Sequence, residues 1–194
     1  PATELSKLKS TTASNPQCEY ARKLFLFSYY CYGISFIDMA MLTAAHIKQM
    51  EDGDYIVYKR QKIKRQKGVK PISIKITPAI RQLIGSLQAA SPTVDDFLLP
   101  IVTRSGYTGE RLYMHIRARY SKYQKYLRLL AEELGIDFHL TSYVSRHTAA
   151  MTLQRNNIPR EVISQMLGHA DLETTNIYLD SFDNRVINEA AKVL

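Results

Sequence analysis

A change of period constrains this chain most. Residues 54–60 (DYIVYKR) and 69–76 (VKPISIKI) alternate along the chain and are rich in β-branched and aromatic side chains, the pattern of half-buried strands. They lie close enough to pair as an antiparallel hairpin. The patterned stretches on either side are helical instead. Residues 17–31 (QCEYARKLFLFSYYC) are apolar enough for a buried helix ending near Gly33, and a shorter helix through Asp38–Leu42 follows. Pro78 opens a helix to about Ala90, since proline is tolerated in the first turn. Residues 91–110 read as loop, and Arg111–Leu134 as a long amphipathic helix stopped by Gly135. Further helices are expected at about 141–156, 159–167, 172–180 and 183–193, with Pro159 and Gly168 as punctuation. The expected fold class is mainly α (α+β): a helical domain with one small antiparallel β-hairpin or sheet.

A length of 194 residues suits one domain of ordinary size. Its 45% hydrophobic fraction excludes wholesale disorder. Residues 1–15 are polar, rich in Ser, Thr and Lys and aperiodic, and read as a linker or arm. The chain begins at Pro1 with no signal peptide, so it is expected to be a piece of a longer protein. Cys18 and Cys31 are the two cysteines, and no Cys/His cluster has zinc spacing. A reducing compartment is expected, with no metal site. No apolar run approaches the roughly 20 residues of a membrane span.

The net charge of +8 is concentrated. Seven of the twelve residues 59–70 are basic (Lys59, Arg60, Lys62, Lys64, Arg65, Lys67, Lys70) and none is acidic, so this run supplies +7 of the +8. A second basic stretch runs from Arg104 to Arg128. Such density suits a phosphate backbone; the alternative is a solvated hairpin. Three residues then carry the chemistry. Arg146 lies 23 positions before His169, and Tyr178 lies 9 positions after it. Arginine offers a permanently charged planar fork for phosphate. Histidine can hydrogen-bond a second phosphate oxygen or move a proton. A tyrosine hydroxyl is a candidate nucleophile for a covalent phosphoryl intermediate. The plainer readings are an ion pair of Arg146 with Glu161, a helix-end role for His169 and packing for Tyr178. His147, next to Arg146, points off the opposite side of its helix and reads as a packed residue or one that supports the site from behind.

Residues 142–179 (SYVSRHTAAMTLQRNNIPREVISQMLGHADLETTNIYL) resemble the C-terminal signature of the tyrosine recombinases, the lambda-integrase family. The Arg-His pair, the LGH and the closing Thr-x-x-Tyr stand in the family's order. The likeness continues upstream through ARKLFLFSYYCYGISFIDMAML (21–42) and is greatest to integrases of Bacteroides-type mobile elements. The resemblance implies a tyrosine-recombinase catalytic domain over 16–194, preceded through the arm by an N-terminal DNA-binding region. It implies cofactor-free and metal-free strand transfer in site-specific DNA recombination (integration or excision), acting in the cytoplasm at the nucleoid. Tyr178 attacks the scissile phosphate to give a 3′-phosphotyrosyl bond, Arg146 clamps the nonbridging oxygens, and His169 supports them. YKRQKI (58–63) resembles the hairpin segment Y-x-R-x-K-T, which makes Lys62 the lysine that protonates the leaving 5′ oxygen. Arg60, Lys64, Arg65 and Lys67 are expected on backbone phosphates. Tyr143 stands where the family has a histidine. The family's first arginine is replaced by Ser35, with Asp38 at the acidic position and Tyr32 where related integrases carry an alternative arginine. The implied partners are double-stranded DNA and three further copies of the chain in a tetramer. The gap at Ser35 leaves a DNA-binding protein with weak or no cleavage activity as the alternative.

Overall fold

In a computed structural model, which describes residues 2–65 and 67–169, the chain runs through α1 (Ala2–Ser10), α2 (Pro16–Tyr30), α3 (Phe36–Ala40) and a short 3₁₀ turn (Ala44–His46). A sheet of β1 (Ile47–Met50), β2 (Gly53–Tyr58) and β3 (Ile72–Lys75) follows. Four more helices come next: α4 (Pro78–Ala90), α5 (Gly109–Glu133), α6 (Ser142–Arg155) and α7 (Arg160–Leu167). The fold is mostly helical with one small antiparallel sheet, as the sequence predicts.

The central element is α2, packed against α4, α5 and α6. Asn15 caps it, its side-chain oxygen accepting from the N–H groups of Gln17 and Cys18, and Pro16 fills the first turn. Leu24, Phe25 and Phe27 are fully buried, and polar Ser28 is buried with them. A helix enclosed on all sides needs partners for its polar groups. The Ser28 hydroxyl meets the Ser145 hydroxyl of α6 at 2.7 Å and donates to the Ile34 carbonyl. Beside Ser145, the small Thr148, Ala149 and Ala150 let α6 lie close. From α5, Ile116, Tyr123, Leu127 and Leu130 form one buried stripe at spacings of 7, 4 and 3.

In the sheet, β2 is the middle strand, antiparallel to both neighbours. Ile56 pairs with Ile74, and Tyr58 with Ile72; all four are buried, while Ser73 and Lys75 face out. The β2–β3 connection carries the basic run, and its Lys59, Lys62, Lys64, Arg65, Lys67 and Lys70 are exposed.

Two expectations need correction. The stretch 1–15, read as an aperiodic arm, is helical over Ala2–Ser10 and docks through Leu5 and Leu8 into the main core. The Arg22 guanidinium donates to the Leu8 carbonyl at 2.6 Å and pairs with Glu19, and Lys7 donates to the Gly135 carbonyl. The second correction is β1, which turns the hairpin into a three-stranded sheet; IKQM is an outward-facing edge strand without apolar alternation. The helices expected at 172–180 and 183–193 lie outside the described residues. Among the described residues, no helix is long and apolar enough to cross a membrane.

Candidate active site and nucleic-acid interface

Two glycines with no room for a Cβ hold the candidate site together. Tyr32 and Gly33 leave α2 in the left-handed region (φ 58° and 71°), and a Cβ on Gly33 would fall 2.4 Å from the Arg146 Cα. The start of α6 therefore lies directly on the Gly33 backbone. There Arg146, only 7% exposed, donates through Nη1 to the Gly33 carbonyl at 3.1 Å. Through Nη2 it donates to the Leu167 carbonyl at 2.5 Å. A guanidinium keeps its charge when buried, so such fixed acceptors both satisfy and aim it.

Gly168 is the second glycine, the left-handed cap of α7 (φ 62°). Its N–H returns to the Gln165 carbonyl and that of His169 to the Ser164 carbonyl, each at 3.0 Å, closing the helix end. A Cβ here would fall 2.4 Å from Ile72 Cδ1 and 3.2 Å from Arg60 Cδ. Arg60 Nη1 donates to the Gly168 carbonyl at 3.0 Å. Two guanidinium groups thus sit on consecutive carbonyls, those of Leu167 and Gly168, and half-buried His169 is the next residue.

Ser35 and Asp38 tie α3 to the same assembly. Ser35 caps α3, its hydroxyl accepting from Asp38 N–H and donating to Asp38 Oδ2 at 2.6 Å. The buried Asp38 carboxylate accepts the Gln61 N–H at 2.7 Å, fixing the chain just after Arg60. Tyr58, the last residue of β2, is 6% exposed. Burial pushes its hydroxyl far above the ordinary tyrosine range; Asp38 and Cys31 push the same way, while Arg146 and Arg60 oppose them. It stays a neutral phenol. Beside Arg146, a cavity of about 440 Å³ opens between α3, α5 and α6, lined by Ser35, Tyr113, Arg117, Tyr143 and Arg146 among others.

Arg146, Arg60 and His169 are therefore brought together around the end of α7. Lys62 lies two residues beyond Arg60 on an exposed turn, and Lys64, Arg65 and Lys67 continue it into solvent. Tyr143 is 56% exposed at the cavity mouth. His147 is exposed, which removes the packed reading of it. Arg22, the one arginine of α2, does not join the site, because its guanidinium is bonded to Glu19 and to α1. Tyr178 lies outside the described residues. Sequence reasoning missed the carbonyls of Gly33, Leu167 and Gly168 and the linking role of Asp38. The glycines were the available signal for the first group.

The mostly helical domain with its small sheet is shared with solved recombinases. A crystal structure of XerA recombinase superposes with TM-score 0.66 and 21% identity, over 99% of this chain and 63% of that one. The Tn1549 transposon integrase in complex with transposon right end DNA gives TM-score 0.67 and 12% identity, over 100% of this chain and 64% of that one. Residues 2–185 match the model of the phage integrase family, and the chain belongs to that family. Its curated relatives are tyrosine recombinases. XerD of Brucella abortus is 30% identical over 119 residues, 60% of this chain and 35% of the relative. XerD of Halalkalibacterium halodurans is 43% identical over 54 residues, 28% of this chain and 18% of the relative. The chain thus spans about a third or less of these relatives.

Proposed function

We propose that this chain is the catalytic domain of a site-specific DNA recombinase that cuts and rejoins DNA through a 3′-phosphotyrosyl intermediate. The observation that carries the reading is Arg146: a buried guanidinium held by the Gly33 and Leu167 carbonyls two residues before His169. Such a fixed cation stabilises charge that develops on phosphate without reorganising at the moment of reaction. Tyr178 Oη forms a bond to phosphorus as the P–O5′ bond breaks. The tyrosine's proton passes to water, and the departing 5′ oxygen gains one from Lys62. The new phosphodiester keeps the bond's energy, so the 5′ hydroxyl of another strand reverses the step without ATP. Arg146 clamps the nonbridging oxygens, His169 supports them with a hydrogen bond, and Tyr143 lines the approach to the arginine.

Arg60, Lys64, Arg65 and Lys67 bring backbone phosphates to the site, a contact that positions DNA without reading its sequence. The wider reading includes a Bacteroides-type mobile element, an N-terminal DNA-binding region, a tetramer on the recombination site and action at the nucleoid. A second reading, a DNA-binding protein of this fold with little cleavage, is favoured by Ser35, which caps α3 where the family carries an arginine.

Trapping separates the two. A duplex spanning the element's recombination site, nicked so that cleavage releases a short strand, should leave a covalent protein–DNA adduct. Tyr178→Phe should abolish the adduct and leave DNA affinity nearly unchanged. An adduct that persists on another tyrosine would sink the assignment, and no adduct from the native chain would favour the binding protein.

A further inference from the structure

We propose that Arg60 is the second arginine of the scissile-phosphate site, doing from the β2–β3 hairpin what no arginine at Ser35 can do. The inference rests on the recombinase reading above and deepens it. Arg60 and Arg146 donate to the consecutive carbonyls of Gly168 and Leu167, and the charge of both reaches the buried Tyr58 hydroxyl. Two guanidinium groups on neighbouring acceptors present their charge to one small region, the requirement for gripping both nonbridging oxygens of a single phosphate.

Arg60 is also held on both sides. Its Nη1 is fixed by Gly168, and the residue after it is fixed by the buried Asp38 carboxylate through the Gln61 N–H. The guanidinium is half-buried, and this one described hydrogen bond leaves its other N–H groups for an anion. By contrast Lys59, Lys62, Lys64, Arg65, Lys67 and Lys70 are exposed. Ser35 offers a neutral hydroxyl already shared with Asp38. Asp38, the acid that accompanies the first arginine in the family pattern, here holds the turn that follows the replacement.

The test uses the full chain and two nicked duplexes, one with a phosphodiester at the mapped cleavage position and one with a neutral methylphosphonate there. On the phosphodiester, Arg60→Ala should slow adduct formation by about 10²–10³-fold, the loss typical of one oxyanion donor. On the methylphosphonate, which lacks the charge that Arg60 would neutralise, the same variant should stay within about tenfold of the native chain. Arg60→Lys, which keeps the charge without the planar fork, should fall between them and serves if the alanine variant fails to fold. Equal losses on both duplexes would mean that Arg60 only props the Gly168 turn, and no loss would mean that it is idle; either overturns the inference. If the native chain forms no adduct on either duplex, the recombinase reading fails first, before any variant is compared, and the inference fails with it.

Discussion

Gly33 shows how much one absent Cβ decides. Its φ of 71° is a conformation that side chains rarely adopt, and the missing atom would meet the Arg146 Cα at 2.4 Å. Gly33→Ala should therefore either push α6 off the end of α2 or swing the Gly33 carbonyl away from Arg146. Destabilisation of at least about 2 kcal/mol is expected from strain and overpacking. For a domain of this size that lowers Tm by roughly 4–8 °C. Gly85, mid-helix with nothing within 4 Å of its added Cβ, supplies the control for thermal melts: Gly85→Ala should hold or raise Tm. A Gly33→Ala melt no lower than the native one would remove the close-approach argument. At this scale Arg146 and His169 stood out as candidates because their side chains advertise phosphate chemistry. Their acceptors were not, because a carbonyl belongs to every residue and only folding selects those of Leu167 and Gly168.

The β2–β3 connection divides its labour along its length. Near its start, Arg60 and Gln61 are bonded to the protein; further on, Lys64, Arg65 and Lys67 stand in solvent. Changing these last three to glutamine should weaken binding to all DNA sequences alike and leave the fold intact. Each lost phosphate contact lowers the slope of log K against log salt by roughly 0.9, so the triple variant should lose roughly 2.7 in a salt titration. An unchanged slope would make the run a solvated face. Strong period made β2, β3, α4 and α5 legible from sequence, with bounds within a few residues. The elements that escaped, α1 and β1, are polar and weakly patterned. Leu5 and Leu8 bury α1 only because α2 offers a surface and Arg22 reaches the Leu8 carbonyl. Tertiary contact, more than local propensity, makes that helix.

For the whole molecule, the fold ties three elements to the end of α7: the end of α2 through Gly33, α6 through Arg146 and the hairpin through Arg60. The residues that follow, including Tyr178, lie beyond the described part. In the sequence, Asp183–Leu194 carries an apolar stripe of Val186, Ile187, Ala190 and Val193. A helix of that length is marginal alone and needs a groove. If it packs on a neighbouring copy, removing 183–194 should reduce cooperative assembly on recombination-site DNA by roughly tenfold, about 1.4 kcal/mol per contact. Sedimentation of the full and shortened chains on one duplex measures this, and equal cooperativity would mean that the segment docks on its own domain.

The acceptors for Arg146 and Arg60 are main-chain atoms, and this bears on how such a protein can change over generations. A cradle of carbonyls survives almost any side-chain replacement, provided that two positions, 33 and 168, stay bare of a Cβ. An arginine removed from one wall by mutation would leave those carbonyls in place. Substitutions around the cradle should thus be tolerated more readily than any residue but glycine at 33 or 168.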